Sequence, residues 1–191
     1  IHAKFEEDGS SLSDYELGSF FALLFPAGAE TTTRSISGGM LALLENPNQL
    51  EQLRGKPELM KTAIEEIVRW TTPSVYKRRT ATTDTELGGK KIFMGQKVTL
   101  WEMSANRDEA MFSHPFHFDV TRDPNKHLGF GVGVHFCLGA SLARLELKVF
   151  FEEFLKSNLR VELDQPVTWV PNNRLVGIKN MFVRITERTN S

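Results

Sequence analysis

Apolar residues recur at helical spacing in three stretches of the chain, and the first of these stretches is the longest. It opens on Ser13-Asp14-Tyr15-Glu16, a capping box in which Ser13 and Glu16 satisfy each other's backbone N–H groups. Asn46-Pro47 ends the same pattern, because proline cannot continue a helix. The sequence therefore predicts one long helix from Ser13 to about Glu45.

This first helix carries apolar side chains on nearly all of its faces near its start, which predicts a buried helix. The residues concerned are Leu17, Phe20, Phe21, Leu24 and Phe25. Pro26 lies inside the pattern and removes one backbone hydrogen bond to the preceding turn. We therefore expect a kink between Ala22 and Gly28.

Two further helices are predicted, one before and one after a central region in which apolar residues do not recur at helical spacing. Pro57 suits a first helical position, and the run from Glu58 to Trp70 has apolar residues at helical spacing. The third helix follows Cys137, with one apolar stripe and one charged side. The stripe is Leu138, Leu142, Leu145 and Val149, and the side predicted to face water holds Lys148, Glu152 and Lys156.

Short strands are predicted in two places. Thr80–Trp101 contains glycines and brief β-branched runs, which indicate short strands and turns, and residues 106–125 are typical of a loop. Near the end of the chain, apolar and polar positions alternate from Met181 to Thr186, which predicts a strand in a terminal hairpin. The fold class predicted from these patterns is mainly α with small β-sheets.

Composition limits the function classes. The chain has 191 residues, a net charge of −1, a pI near 6.6 and 40% hydrophobic residues, which indicates one globular domain without the basic footprint of a nucleic-acid-binding protein. Its one cysteine excludes an internal disulfide and favours the reducing cytoplasm. The longest apolar stretch, Leu17–Ala29, is too short and interrupted to predict a membrane anchor, and we find no pattern of a signal peptide.

That single cysteine, Cys137, stands in the glycine-rich segment Phe130–Gly139, immediately before the third helix. A lone cysteine is usually a small buried hydrophobic residue. Here, however, Gly131, Gly133 and Gly139 can supply a tight turn with N–H groups facing the sulfur, and a helix N-terminus favours a thiolate. A phosphate-binding loop is excluded, because no Gly-Lys-Ser/Thr follows. The segment therefore predicts an axial thiolate ligand for haem iron.

The segment resembles the haem-binding signature F-x-x-G-x-H/R-x-C-x-G of the cytochromes P450. The matching residues are Phe130, Gly133, His135, Cys137 and Gly139. The resemblance implies haem b as the cofactor, with Cys137 as ligand and with Gly131 also in the haem-binding loop. Family domains are roughly twice as long as this chain, so residues 1–191 are expected to form the C-terminal half of one P450 haem domain. Residues 1–9 look like an interior loop rather than a domain start.

A second motif, Ala27-Gly28-Ala29-Glu30-Thr31-Thr32, lies in the middle of the first helix. Taken alone, an acid and two hydroxyls are most often the wet side of a surface helix. The segment is similar to the family motif A-G-x-D/E-T, which implies an oxygen-binding groove. In that groove Gly28 leaves space over the iron, Thr31 hydrogen-bonds a ligand or water, and Glu30 relays protons.

The resemblance also implies structural and cofactor-contacting charges. Glu66 and Arg69 match the family pair E-x-x-R, which taken alone is commonly a weak surface ion pair. Arg122, in the loop 115–122, is the implied third member of a buried triad that supports the cysteine loop. Arg79 and His135 are the implied partners of the haem propionates, although Arg78 can exchange roles with Arg79.

The function implied by the family is a haem-thiolate monooxygenase that inserts one oxygen atom of O2 into an apolar small molecule. Electrons are expected from a ferredoxin or flavodoxin-type donor. Ser104-Ala105-Asn106-Arg107-Asp108 looks most similar to bacterial members, some of which oxidise sterol side chains or terpenes; a fatty-acid-like substrate is also open. The positions that resemble substrate contacts are Phe25, Ala29, Val75, Tyr76, Leu175 and Val176.

The alternative function is a truncated, non-catalytic fragment that binds haem weakly or not at all and acts at most as an interaction module. Chain length is its main support. In either case the half-domain is expected to leave the haem face open and to expose apolar side chains around Phe20 to Phe25. Such a surface makes self-association possible.

Overall fold

The structure is a computed structural model that describes residues 9–188, so all but the last residue of the loop predicted at residues 1–9 lies outside the described residues. It is mainly α with small β-sheets, as predicted. The helices are α1 (Asp14–Glu45), α2 (Pro47–Gly55), a 3-10 turn (Pro57–Leu59), α3 (Met60–Thr71), α4 (Glu102–Ala105), a second 3-10 turn (Gly133–His135) and α5 (Ala140–Lys156). The prediction did not separate α2 from the connection between the first two helices.

The strands of the described residues form four separate two-stranded antiparallel sheets. They are β1 (Tyr76–Thr80) with β4 (Lys97–Trp101), β2 (Thr85–Leu87) with β3 (Lys90–Ile92), β5 (Leu159–Leu163) with β8 (Val183–Glu187), and β6 (Thr168–Trp169) with β7 (Ile178–Asn180). The central strands are confirmed. The predicted terminal hairpin is wrong, because β8 pairs with β5, with Leu159 opposite Glu187, rather than with the strand just before it.

Local signals set the limits of α1 as predicted. The Ser13 hydroxyl accepts a hydrogen bond from the Glu16 backbone N–H at 3.3 Å, and the Glu16 carboxylate accepts one from the Ser13 backbone N–H at 2.9 Å. The helix ends at Glu45, before Asn46 and Pro47. Helix α1 continues through Pro26, and the kink predicted near this proline stays a prediction.

The core forms where the second half of α1 meets α3 and α5. Gly39 marks a close approach of the three helices: a Cβ atom there would lie 2.7 Å from Ile67 Cγ2 and 3.0 Å from the Phe151 ring. Burial of these side chains stabilises the fold by roughly 25 cal/mol for each Å² of apolar surface that leaves water. The buried cluster comprises Met40, Ala42, Leu43, Leu53, Met60, Ala63, Ile64, Ile67, Val68, Phe118, Val120, Leu147 and Phe151.

The first half of α1 is exposed, so the prediction that this part of the helix is buried is wrong within the chain. Phe25 is 81% exposed, and Phe20, Phe21 and Leu24 are exposed as well. Apolar composition predicts burial only when a partner surface is present, and the described residues supply none here. The exposure around Phe20 to Phe25 that was expected of a half-domain is confirmed.

The face of α5 that was predicted to pack is exposed in the same way. Leu142, Leu145 and Val149 face solvent, whereas Leu147 and Phe151, on the other side of the helix, are fully buried. The charged side predicted to face water is confirmed by the exposure of Lys148 and Lys156. Among the helices described, none combines the length and the apolar character needed to cross a bilayer.

Candidate functional site

The loop before α5 is a tight turn that presents Cys137. Gly131 and Gly133 have φ values of +72° and +71°, in the left-handed region that favours glycine. The Gly131 N–H donates to Leu128 O at 2.8 Å, and the Cys137 N–H donates to Phe130 O, also at 2.8 Å. Two positive-φ glycines and a backbone bond across the loop therefore determine its shape.

Cys137 is a free, exposed thiol at the N-terminus of α5. The Ala140 N–H donates to Cys137 O at 3.2 Å, which places the partial positive charge of the helix beside this residue. The expected backbone N–H bonds to sulfur do not occur among the described residues. Gly139 has a φ of −85°, and a Cβ there would lie an ordinary 4.0 Å from the sulfur, so neither turn nor packing demands this glycine.

The residues around the thiol form an apolar rim. Val134 is 98% exposed, and Val132, Phe136 and Leu138 are also largely exposed. Apolar side chains around a single thiolate donor fit a flat, apolar macrocycle ligated through sulfur, because the ring surface leaves water together with the rim. The donor set and its surroundings therefore fit haem.

The two cations predicted for the propionates lie on separate elements, and both are exposed. His135 closes the 3-10 turn that precedes Cys137. Arg79 lies on β1 opposite Val98, and its Nη1 donates to Arg78 O at 3.0 Å. Because neighbouring strand residues point to opposite faces, only one of Arg78 and Arg79 can serve a given side of the sheet.

The predicted oxygen groove lies on the exposed half of α1. A Cβ at Gly28 would meet no atom within 4 Å. The Thr31 hydroxyl donates its hydrogen to Ala27 O at 2.7 Å, which leaves its oxygen lone pairs as acceptors. Glu30 is half exposed and accepts a bond of 3.3 Å from Arg34. The arrangement offers space, a hydrogen-bond acceptor and a solvent-exposed acid in one stretch of helix.

Glu66, Arg69 and Arg122 are brought together in the interior. Arg69 donates from Nε and Nη2 to the two carboxylate oxygens of Glu66, both at 2.7 Å. Arg122 Nε donates to Glu66 Oε2 at 3.0 Å. Glu66 and Arg69 are fully buried and Arg122 nearly so, which sets this cluster apart from a weak surface pair.

The triad also holds the loop of residues 106–125. Arg69 Nη1 donates to the backbone oxygens of Asn106 at 2.8 Å and Pro115 at 2.9 Å. The buried Asn106 side chain in turn accepts from the Leu128 N–H at 2.7 Å, just before the cysteine loop. A chain of hydrogen bonds therefore runs from the Glu66–Arg69 pair on α3 to the start of that loop.

Four of the six predicted substrate positions are brought together. The Val75 N–H donates to Arg174 O at 2.9 Å, and the Val176 N–H donates to Pro73 O at 3.0 Å, so the segments with Val75 and Tyr76 and with Leu175 and Val176 run side by side. The other two positions, Phe25 and Ala29, lie on the exposed half of α1.

Sequence reasoning missed a second ion cluster, beside the cysteine loop. Arg144 donates from Nε and Nη2 to the Glu65 carboxylate at 2.6 and 2.9 Å, and His127 Nε2 lies 3.0 Å from Glu65 Oε2. The Arg144 guanidinium carbon lies 4.4 Å from the centre of the Phe130 ring. The neighbouring acids Glu65-Glu66 were the only local signal, and Arg144 lies 79 residues further along the chain.

The Glu65 cluster has a consequence for acid stability. Burial alone would raise the pKa of Glu65, but the hydrogen bonds of Arg144 and His127 and the charge of Arg144 outweigh it and lower that pKa to about 2. A carboxyl with a lowered pKa in the folded state contributes stability above its unfolded pKa, near 4.5, and loses it as pH falls toward 2. We expect Glu65→Gln to flatten this part of the curve of unfolding free energy against pH.

Urea titrations between pH 6 and 2.5 measure the effect. Glu162→Gln, in the exposed pair with Arg160, is the matched control and should follow the parent. A slope in Glu65→Gln identical to the parent's between pH 4.5 and 2.5 would contradict the assignment.

Comparison with known proteins shows which family the chain belongs to. The family model "Cytochrome P450" matches residues 1–187. Cytochrome P450 126 of Mycobacterium tuberculosis is 57% identical over 180 residues, 94% of this chain and 44% of that protein. The methyl-branched lipid omega-hydroxylase of Mycobacterium bovis is 48% identical over 180 residues, 93% of this chain and 42% of that protein.

A solved structure shares the fold. The bacillaene polyketide synthase cytochrome P450 PksS of Bacillus subtilis superposes with a TM-score of 0.90 at 38% identity, over 98% of this chain and 48% of that one. The family match over nearly the whole chain and the shared, mainly helical fold define the class of protein: this chain belongs to the cytochrome P450 family. It spans less than half the length of the curated relatives quoted above.

Proposed function

We propose that the chain is the C-terminal part of the haem domain of a P450 monooxygenase and that Cys137 would supply the thiolate ligand of haem b. The observation that carries the proposal is the exposed thiol of Cys137, held in a turn with two positive-φ glycines at the N-terminus of α5 and ringed by apolar side chains. The family match and the relatives' names support it.

The roles of the residues follow from their chemistry. When bound, haem supplies the redox chemistry that activates dioxygen, and thiolate ligation favours cleavage of the O–O bond. Cys137 would hold the iron, Phe130, Gly131 and Gly139 belong to the loop that carries Cys137, and Arg79 and His135 would contact the propionates. On α1, Gly28 leaves room for a ligand, the Thr31 hydroxyl oxygen accepts a hydrogen bond, and Glu30 exchanges protons with solvent.

Thr31→Ala is expected to leave haem binding intact and to divert reducing equivalents into peroxide, because the hydroxyl orders proton delivery without holding the cofactor. The measurement is the ratio of product formed to electrons consumed, together with peroxide release, in the protein that contains this chain and its missing half. Thr33→Ala is the matched control, since Thr33 makes the same type of bond, 2.8 Å, to Ala29 O. An unchanged ratio in Thr31→Ala would remove Thr31 from this role.

The proposed substrate is an apolar small molecule such as a lipid, terpene or sterol. Its contacts are Phe25 and Ala29 on α1 and Val75, Tyr76, Leu175 and Val176 on the two paired segments. The name of the M. bovis relative, a hydroxylase of methyl-branched lipids, supports a lipid-like substrate. A ferredoxin or flavodoxin-type protein is the proposed electron donor. The cytoplasmic location predicted from the single free cysteine stays a prediction.

The truncated, non-catalytic fragment remains the second candidate function, favoured by the bare apolar faces of α1 and α5. Adding haem to the purified chain and recording the spectrum of the reduced, carbon-monoxide-bound form separates the two. A thiolate-type band supports the monooxygenase proposal, and its absence supports the fragment.

The same faces predict self-association of the isolated chain, because clustered apolar surface is removed from water when copies meet. Gel filtration is expected to give a concentration-dependent apparent mass above that of the monomer. Phe21→Ser with Phe25→Ser, on the exposed half of α1, should shift the chain toward the monomer. Leu87→Ser, an equally exposed apolar position on β2, is the control. A monomer at all concentrations in the parent would contradict this prediction.

A further inference from the structure

The Glu65 cluster lies beside the cysteine loop without belonging to the buried Glu66 triad. Arg144 belongs to α5, Glu65 to α3, and His127 and Phe130 to the segment that leads into the loop. The guanidinium of Arg144 is fixed in orientation by two hydrogen bonds to the Glu65 carboxylate. In that orientation it lies over the Phe130 ring at 4.4 Å, well within cation–π distance.

Phe130 connects this cluster to the ligand-bearing turn. Its backbone oxygen accepts the Cys137 N–H at 2.8 Å, so movement of Phe130 moves the residue that carries the thiol. Its ring also lies near the rings of His127, at 5.8 Å, and Phe136, at 6.3 Å. The His127 Nδ1 accepts the Gly129 N–H at 3.1 Å, which fixes the backbone just before Phe130.

We propose that Arg144 is a positioning residue: held by Glu65, it clamps the Phe130 ring and thereby sets the position of the Cys137 loop relative to α3 and α5. The effect on the loop is a property of the chain itself. Its consequence for the iron ligand rests on the proposed function. The hydrogen bonds to Glu65 raise the pKa of Arg144, so the guanidinium that holds the Phe130 ring stays charged.

Hydrogen exchange in the chain without cofactor tests the clamp directly, and a failure to bind haem does not affect it. The amides of Gly131, Phe136 and Cys137 are hydrogen-bonded within the loop and report its opening. Arg144→Lys keeps the charge but loses the planar, two-pronged contact, and we expect these amides to exchange about tenfold faster. Amides in the core of α3, such as Val68, should keep the parent's rate.

Two further variants keep the test decisive if Arg144→Lys is poorly folded. Glu65→Gln frees the guanidinium and should speed exchange of the same amides. Arg160→Lys, in the exposed pair with Glu162, is the control and should leave them unchanged. Loop exchange at the parent's rate in both Arg144→Lys and Glu65→Gln would overturn the proposal. Equal acceleration in the loop and in α3 would also overturn it, because it would show a general loss of stability.

The route through Phe130 is tested by combining Phe130→Leu with Arg144→Lys. If Arg144 acts through the ring, the double variant should exchange no faster than the faster single variant. If the increases in exchange rate caused by Phe130→Leu and by Arg144→Lys multiplied in the double variant, Arg144 would not act through the Phe130 ring. With haem bound, the reduction potential is expected to shift in Arg144→Lys but not in Arg160→Lys. That result would show that Arg144 affects the iron ligand as well as the loop. An unchanged potential alongside altered loop exchange would overturn only the effect of Arg144 on the iron ligand. Failure of the protein to bind haem would contradict the proposed function and leave the clamp on the loop standing.

Discussion

Replacing Cys137 by alanine is expected to abolish thiolate ligation of haem completely. The chain has one cysteine, so no second sulfur can take its place. His135, the nearest other ligand type in the loop, lies in the preceding 3-10 turn rather than at the N-terminus of α5. The measurement is the spectrum of the reduced, carbon-monoxide-bound protein, in which the thiolate-type band should disappear.

The control for this experiment keeps the thiol and changes a neighbouring position. Ser141→Ala, at an exposed site in the first turn of α5, should retain the band. A thiolate band that persists in Cys137→Ala would end the assignment of the ligand.

Glu66→Ala should lower the free energy of unfolding by about 3–5 kcal/mol, because it leaves the buried Arg69 without its charge partner and strips Arg122 of its own. The carboxylate also accepts the Asp119 N–H at 2.9 Å and the Asn125 side-chain amide at 3.1 Å. Its loss therefore leaves several buried donors unsatisfied. Urea unfolding followed by circular dichroism measures the change.

Glu162→Ala is the matched control, because it breaks an exposed Glu–Arg pair of similar geometry, at 2.6 Å, and should cost about 0–1 kcal/mol. If Glu66→Ala unfolded at the same urea concentration as the parent, the buried triad would not be a support of the fold.

Features encoded by a few neighbouring residues could be predicted. The capping box at Ser13 and the break at Asn46-Pro47 determine both ends of α1 through contacts no more than four residues apart. The cysteine loop is similarly local, since its glycines and the residue before α5 lie within one decapeptide. Such features can be predicted from the local sequence without knowledge of the rest of the fold.

Features that depend on distant partners could not be predicted in the same way. Apolar residues on α1 and α5 indicated burial but not which surface would cover them, and within this chain the faces with Phe25 and Leu142 are bare. The pairing of β8 with β5 joins two segments that are separated along the chain by β6 and β7, and alternation within one strand does not encode such a pairing. The Glu65–Arg144 pair joins residues 79 positions apart, and no local pattern reports such a contact.

Two of the four glycines of α1, Gly28 and Gly39, differ in the physical reason for glycine at that position. Alanine is favoured over glycine inside a helix by about 1 kcal/mol, so helix propensity alone favours alanine at both positions. At Gly39 an added Cβ would clash with Ile67 and Phe151, so packing within the chain explains the glycine. At Gly28 no atom of the described residues lies within 4 Å of an added Cβ, so packing does not explain it. Glycine at residue 28 therefore destabilises the helix without any packing reason within the described residues, which is the pattern expected if the proposed groove, rather than stability, requires it.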